Sequence, residues 1–159
     1  MDPMKDNPKQ GDFLIRNLMG ADRESGALAI GALLRNGQLV QFHLRDKQMS
    51  AEDLNVMLTR YLQQGNAENA KGALLFSCLG RGKYLYGKTN HDTDMFRSKL
   101  GEIPLGGFFC NGEIGPVGNA TFLHGYTSSF GIFRPLAGET DSRNPPSRLY
   151  FLLSSESYC

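Results

Sequence analysis

Apolar and polar positions change period several times along this chain, and each change marks an element. Residues Asp12 to Met19 alternate loosely, which predicts a first strand. Asp22-Arg23-Glu24-Ser25-Gly26 is a polar turn. Two apolar-rich runs follow, Ala27 to Leu34 and Leu39 to Leu44, separated by Arg35-Asn36-Gly37-Gln38. Asn-Gly between two such runs predicts a hairpin. Then the period becomes helical: Leu54, Met57, Leu58, Tyr61 and Leu62 fall at i, i+3, i+4, i+7 and i+8, one apolar stripe. Ser50 reads as the N-cap of a helix over Ala51 to Gln63, with Glu52 and Asp53 placed to favour its dipole. Gly65 reads as its C-cap.

Ala73 to Cys78 is apolar on both faces, which predicts a central buried strand. Gly80-Arg81-Gly82 breaks it. Asn90 or Asp92 caps a short helix running through Leu100. Leu105 to Cys110 reads as another buried strand, bounded by Pro104 and Asn111-Gly112. Ala120 to Arg134 holds one or two more strands, with a bulge at Gly125 or Gly131. Gly138 to Ser147 is polar and Pro-rich. The short apolar run Leu149 to Leu153 is either an edge strand or part of a disordered end, and disorder is the expectation.

These elements predict an α+β fold: a mostly antiparallel or mixed β-sheet with about two helices packed on one face. Short turns through the first three strands favour antiparallel pairing, and the helix at 51–63 is long enough to cross over to a parallel neighbour. The expected domain is 12–135, after a flexible lead-in at 1–11 and before a polar Pro-rich linker and disordered tail at 136–159.

Composition narrows the function. At 159 residues the chain has the length of one domain. Lys+Arg 17 against Asp+Glu 16 gives no electrostatic case for nucleic acid or an anionic membrane. No apolar run approaches the length of a membrane span. Met1 to Gly11 is polar, unlike a signal peptide. The three cysteines Cys78, Cys110 and Cys159 form no Cys-x-x-Cys pair, so neither a disulfide framework nor a zinc knuckle is expected. The expected compartment is the cytoplasm. His43, His91 and His124 lack metal-ligand spacing, and there is no dinucleotide fingerprint, phosphate loop or nucleophile elbow. No cofactor is expected.

The chemistry concentrates where two apolar runs end in glycines around one charge, at Arg81 and at Glu113. Both are expected at loop tips beyond strand ends. Arg81 between glycines suits a carboxylate, and Glu113 suits an ammonium; together they match the zwitterion of a free amino acid. The alternative is that the two pair with each other, or with local carbonyls, and pin two loops. Cys78 is a nucleophile or redox-sensitive thiol if Arg81 lowers its pKa, and otherwise a packed core residue; Cys110 is read the same way. His124, near Tyr126 and Thr127, is a ligand donor, a base, or a hydrogen-bonded strand residue. His91, in Thr89-Asn90-His91-Asp92, reads as part of a solvated helix start.

Several segments resemble the C-terminal half of the FIST domain family (F-box and intracellular signal transduction). They are Phe76 to Gly82 (F-S-C-x-G-R-G) and Gly107 to Pro116 (G-F-F-C-N-G-E-I-G-P), followed by His124-Gly125-Tyr126-Thr127. Upstream, Phe42-His43-Leu44-Arg45-Asp46 and Ser50-Ala51-Glu52-Asp53-Leu54 fit too, so the resemblance spans about Asp12 to Pro135. It implies a non-enzymatic sensory module in signal transduction, with amino acids as ligands. Its binding residues would be Cys78, Gly80, Arg81, Gly82, Asn111, Gly112, Glu113 and His124. The family's N-terminal half is expected to be missing, leaving an apolar face to be covered by that half or by a homodimer. One alternative is a substrate-recruiting interaction module, as in F-box proteins, although no F-box-like helical segment is visible. A less favoured one is a Cys-dependent acyl-transfer enzyme, with Cys78 as nucleophile, His124 as base and Glu113 or Asn111 as orienter.

Overall fold

The computed structural model describes residues 13–65, 69–117, 120–135 and 147–154. The fold is α+β, as its sequence pattern predicts. A short antiparallel hairpin, β1 (Leu18–Ala21) and β2 (Leu28–Ile30), leads to helix α1 (Lys47–Gln63). A four-stranded mixed sheet follows, in the order β4-β3-β7-β8. Its strands are β3 (Gly72–Cys78), β4 (Leu105–Cys110), β7 (Ser128–Pro135) and β8 (Ser147–Ser154). β3 runs parallel to β4 and antiparallel to β7. Between β3 and β4 lie the one-turn helix α2 (Lys83–Tyr86) and helix α3 (His91–Leu100). A second hairpin, β5 (Glu113–Val117) and β6 (Ala120–His124), connects β4 to β7.

The core forms where one face of the sheet meets the two longer helices. Leu54, Leu58 and Tyr61 of α1 and Phe96 of α3 pack on Ala73 and Leu75 of β3 and Phe130 and Ile132 of β7. The apolar stripe of α1 is thus its buried face. Phe96 stacks on Phe130 with ring centroids 5.4 Å apart. Ala73, Leu75 and Ser77 point the same way because side chains alternate along a strand.

Several local expectations are corrected. The first strand starts at Leu18, not Asp12. The hairpin forms one turn earlier than expected, where Asp22 N–H bonds the Ala27 carbonyl at 2.8 Å and the Asp22 carboxylate accepts from Glu24 N–H. The Asn36-Gly37 turn exists, closed by Gln38 N–H on the Arg35 carbonyl, but 39–44 pairs with no strand among the described residues. α1 is capped by Asp46, whose carboxylate accepts from Gln48 and Met49 N–H. Ser50 lies one turn inside, with its hydroxyl on the Asp46 carbonyl at 2.7 Å. Gln64 is the C-cap, and Gly65 follows it. The crossover between parallel strands is 79–104, not α1, because β2 and β3 belong to different sheets. β7 runs through Gly131 in unbroken register, and Gly125 lies in the turn before it, so neither is a bulge.

Two strands differ in burial or existence from their expectation. β4 is not buried: it is the sheet's edge, with Phe108 63% and Phe109 55% exposed. Residues 147–154 are not disordered but form β8, because β7 is buried and its open side needs main-chain partners. The rest of the expected linker and tail, 136–146 and 155–159, lies outside the described residues, as does the lead-in at 1–11.

Candidate functional site

The glycine loop after β3 turns its arginine inward. Arg81 is 1% exposed, so it is not the loop-tip cation its sequence context suggests. Its fork takes a carboxylate, as the residue type predicts, but that carboxylate is Asp92 of α3. Nε reaches Asp92 Oδ2 at 2.9 Å and Nη2 reaches Oδ1 at 3.2 Å. Nη2 also donates to the Tyr86 hydroxyl at 2.6 Å, and Nη1 to the Tyr126 carbonyl at 3.4 Å. Ser128 Oγ donates to Asp92 Oδ2 at 2.6 Å, and Ser77 Oγ lies 3.3 Å from the same oxygen.

Asp92 is therefore the hub of this network. Burial alone would raise its pKa. The His91 hydrogen bond, the Arg81 charge and bonds from Arg81 and Ser128 outweigh burial, and hold the carboxyl well below the usual carboxylate range. His91 Nδ1 lies 2.9 Å from Asp92 Oδ1, and its ring stacks on Tyr86 at 3.5 Å. His91 is 7% exposed, so the segment expected to be a solvated helix start is part of the interior. Asp92 stands four residues before the buried Phe96, on the same helical face. That spacing was the available sequence signal.

Glu113 opens β5 and is 1% exposed. Its Oε2 accepts from Thr127 Oγ1 at 2.9 Å and Thr127 N–H at 3.3 Å, and its Oε1 accepts from Gly112 N–H and from the Cys110 thiol. Burial, then the hydrogen bond and charge of Glu113, push the Cys110 thiol up to about 11, away from a reactive thiolate. His124 sits opposite Glu113 across the hairpin, and its Nε2 bonds the Gly115 carbonyl at 3.0 Å. Cys78 is buried, its N–H on the Thr127 carbonyl. Arg45 bonds the Gly80 carbonyl and lies over the Tyr126 ring. Asn111 is exposed.

Of the sequence-expected residues, Cys78, Arg81 and Glu113 converge on Tyr126 and Thr127, and all three are buried and hydrogen-bonded there. Open space borders Asp92 and runs along β4 from its first residue Leu105 to Phe109. A groove of about 350 Å³ runs between the start of α3 and β4. Leu75, Leu105, Phe108 and Phe109 supply its apolar wall, and Lys83, Thr89, Asn90 and His91 its polar rim. Of the eight expected binding residues only Gly82 borders it. Among the described residues no group of three or more His, Cys, Asp or Glu is placed to hold a metal ion. No helix there is long and apolar enough to cross a membrane.

The glycine-flanked Arg81 and Glu113 motifs lie within a sequence match to a known class of signal-transduction domain. The family model of the FIST C domain matches residues 3–116, and the chain belongs to that family. The match stops before His124-Gly125-Tyr126-Thr127. An uncharacterized protein of Mycobacterium tuberculosis is 45% identical over 126 residues, covering 79% of this chain and 33% of the relative. An F-box/LRR-repeat protein of Arabidopsis thaliana is 26% identical over 142 residues, covering 80% of this chain and 27% of the relative. The human F-box only protein 22 is 50% identical over 42 residues, covering 26% of this chain and 10% of the relative. The chain thus spans about a third of the length of its mycobacterial relative.

Proposed function

We propose that this domain senses a small polar ligand, with amino acids as the favoured class, and acts in signal transduction by binding and not by catalysis. One observation carries the reading: a groove of about 350 Å³ between the edge strand β4 and the start of α3, apolar on one wall and polar at its rim. The volume lies within the range of small-molecule pockets. The ligand contacts move from Arg81 and Glu113 to the start of α3, because the Arg81 fork is engaged by Asp92. A thermal-shift screen of the amino acids tests this. A ligand present at 100 times its Kd stabilises the folded state by about 2.7 kcal/mol, which raises Tm by several degrees. Flat responses across the set overturn the amino-acid reading.

A second reading, a protein-interaction module, is favoured by the exposed edge strand β4. Its sequence, Leu105-Gly106-Gly107-Phe108-Phe109-Cys110, has no charge to discourage strand addition. Under this reading Phe108→Glu abolishes capture of a stoichiometric partner while circular dichroism stays native. Capture that survives Phe108→Glu removes it.

A further inference from the structure

Strands β3 and β4 both end in a cysteine, and their parallel register sets Cys78 beside Cys110. The main chains stay bonded just past that point, with Leu79 N–H on the Cys110 carbonyl at 2.9 Å. Registered partners on neighbouring strands share a face of the sheet. Phe76 and Phe108, two positions earlier on the same strands, show this directly: their rings meet edge to face at 5.3 Å. Neighbouring strands lie roughly 4.8 Å apart, inside the span of about 4.4–6.8 Å that a disulfide bridges between Cα atoms. Both cysteines are free thiols in this structure.

The surroundings of the pair supply a second observation. Cys110 Sγ leans toward β3 and lies 3.6 Å from the Ser77 carbonyl oxygen. It also donates to Glu113 Oε1 at 3.3 Å, so a proton acceptor is already in place. The two sulfurs are close enough that charge on Cys78 is one of the causes that push the Cys110 thiol up. Cys78 is 6% exposed and Cys110 half-buried. Such access suits a small oxidant, a peroxide, better than a bulky disulfide.

We propose that Cys78 and Cys110 are a reversible redox pair, bridged by peroxide and reopened by reducing thiols. Glu113 holds Cys110 as the thiol, so Cys78 reacts first. Its sulfur attacks the peroxide, an S–O bond forms as the O–O bond breaks, and a sulfenic acid and one water result. The Cys110 sulfur then attacks the Cys78 sulfur. The Cys110 proton passes to Glu113, the S–O bond breaks, and the leaving hydroxide takes that proton as a second water. In sum, two thiols lose two electrons and two protons, and one peroxide becomes two waters. Cβ atoms of registered partners stand nearer the strand spacing than the roughly 3.8 Å a disulfide prefers, so the bridge is strained and easily reduced. Once formed, it ties the edge strand β4 to the central strand β3 beside the Gly80-Arg81-Gly82 turn. This pair works whether or not the groove takes a ligand.

Peroxide treatment of the whole chain carrying Cys159→Ser, which removes the third thiol, tests it. After alkylation of the unfolded product, peptide mass mapping should show both thiols lost and one linked pair of peptides, Cys78 to Cys110. Dithiothreitol should restore both thiols. Cys110→Ser should stop the reaction at a Cys78 sulfenic acid, trapped by dimedone. Hydrogen exchange of the Leu105–Cys110 amides should slow several-fold in the bridged chain. Thiols that survive peroxide sufficient to oxidise free cysteine overturn the proposal. So does oxidation of Cys78 to the sulfinic acid with Cys110 left free, or bridging only between two chains. A bridge that forms without slowing exchange in β4 overturns its role in tying down that strand.

Discussion

Gly107→Ala should destabilise this domain strongly for a single added methyl. Gly107 has φ +151°, and a Cβ there would lie 1.9 Å from the Leu75 carbonyl oxygen of the paired strand. It would also lie 2.8 Å from the Leu75 carbonyl carbon. Neither atom is the free end of a side chain, so the β3–β4 ladder itself must open. The backbone conformation costs about 1–3 kcal/mol for an alanine, and the overlap about as much again. Against a domain stability of roughly 5–15 kcal/mol, this is a large fraction. Denaturant melts should show a loss of about 3–5 kcal/mol, or an unfolded variant. Gly106→Ala is the control, since the nearest atom to its Cβ is a Leu74 methyl at 3.7 Å. Equal losses in the two variants would show that β4 does not pair in this register.

The second large effect concerns Arg81 and Asp92. Their side chains are 0% and 7% exposed, so truncating either breaks a two-point ion pair in the interior. Arg81→Ala or Asp92→Ala should each cost about 3–5 kcal/mol. The double variant should recover part of the sum, because neither member of the pair remains to lose the other. Ser77, Ser128 and His91 would still lose an acceptor, so recovery should be incomplete. The sign of the pH dependence follows from the direction of the Asp92 shift. Its folded pKa is depressed below the unfolded value of about 3.9, so its stabilisation is present above that value and is lost as pH falls below it. Asp92→Asn should therefore flatten the acid limb of the stability profile. Additive single losses, with an unchanged acid limb, would mean that the pair is not coupled.

The central strand, both longer helices and the α+β class were legible because each rests on a periodic apolar pattern. Leu54, Leu58 and Tyr61 could face nothing but a core. β4 was misread as buried because an apolar run shows that a strand suits cover, not where the sheet ends. β5 was hidden in a segment with Gly115 and Pro116, which read as loop. A two-stranded hairpin leaves β5 a free edge, and there Pro116 is tolerated. The short α2 has too few residues to show a period.

In the site, the residue types were legible and their partners were not. Arg81 was expected to grip a carboxylate and does, but the carboxylate belongs to Asp92, eleven positions on. Glu113 was expected to hold a cation or to pair with Arg81, and it instead gathers Thr127, Gly112 and the Cys110 thiol. Such choices depend on which loop folds over which, and no local pattern encodes that. His91 was passed over because a histidine at a helix start is ordinarily solvated. Its burial follows from Tyr86 and Asp92, which only the folded loop brings together.

The most direct test of the account is an amide NMR map of the chain titrated with a stabilising amino acid. The account predicts shifts clustered at Gly82 to Thr93 and Leu105 to Phe109, the two walls of the groove. Shifts confined to Asn111–Gly112 and His124–Thr127 would place the ligand at the Glu113 lattice and contradict it.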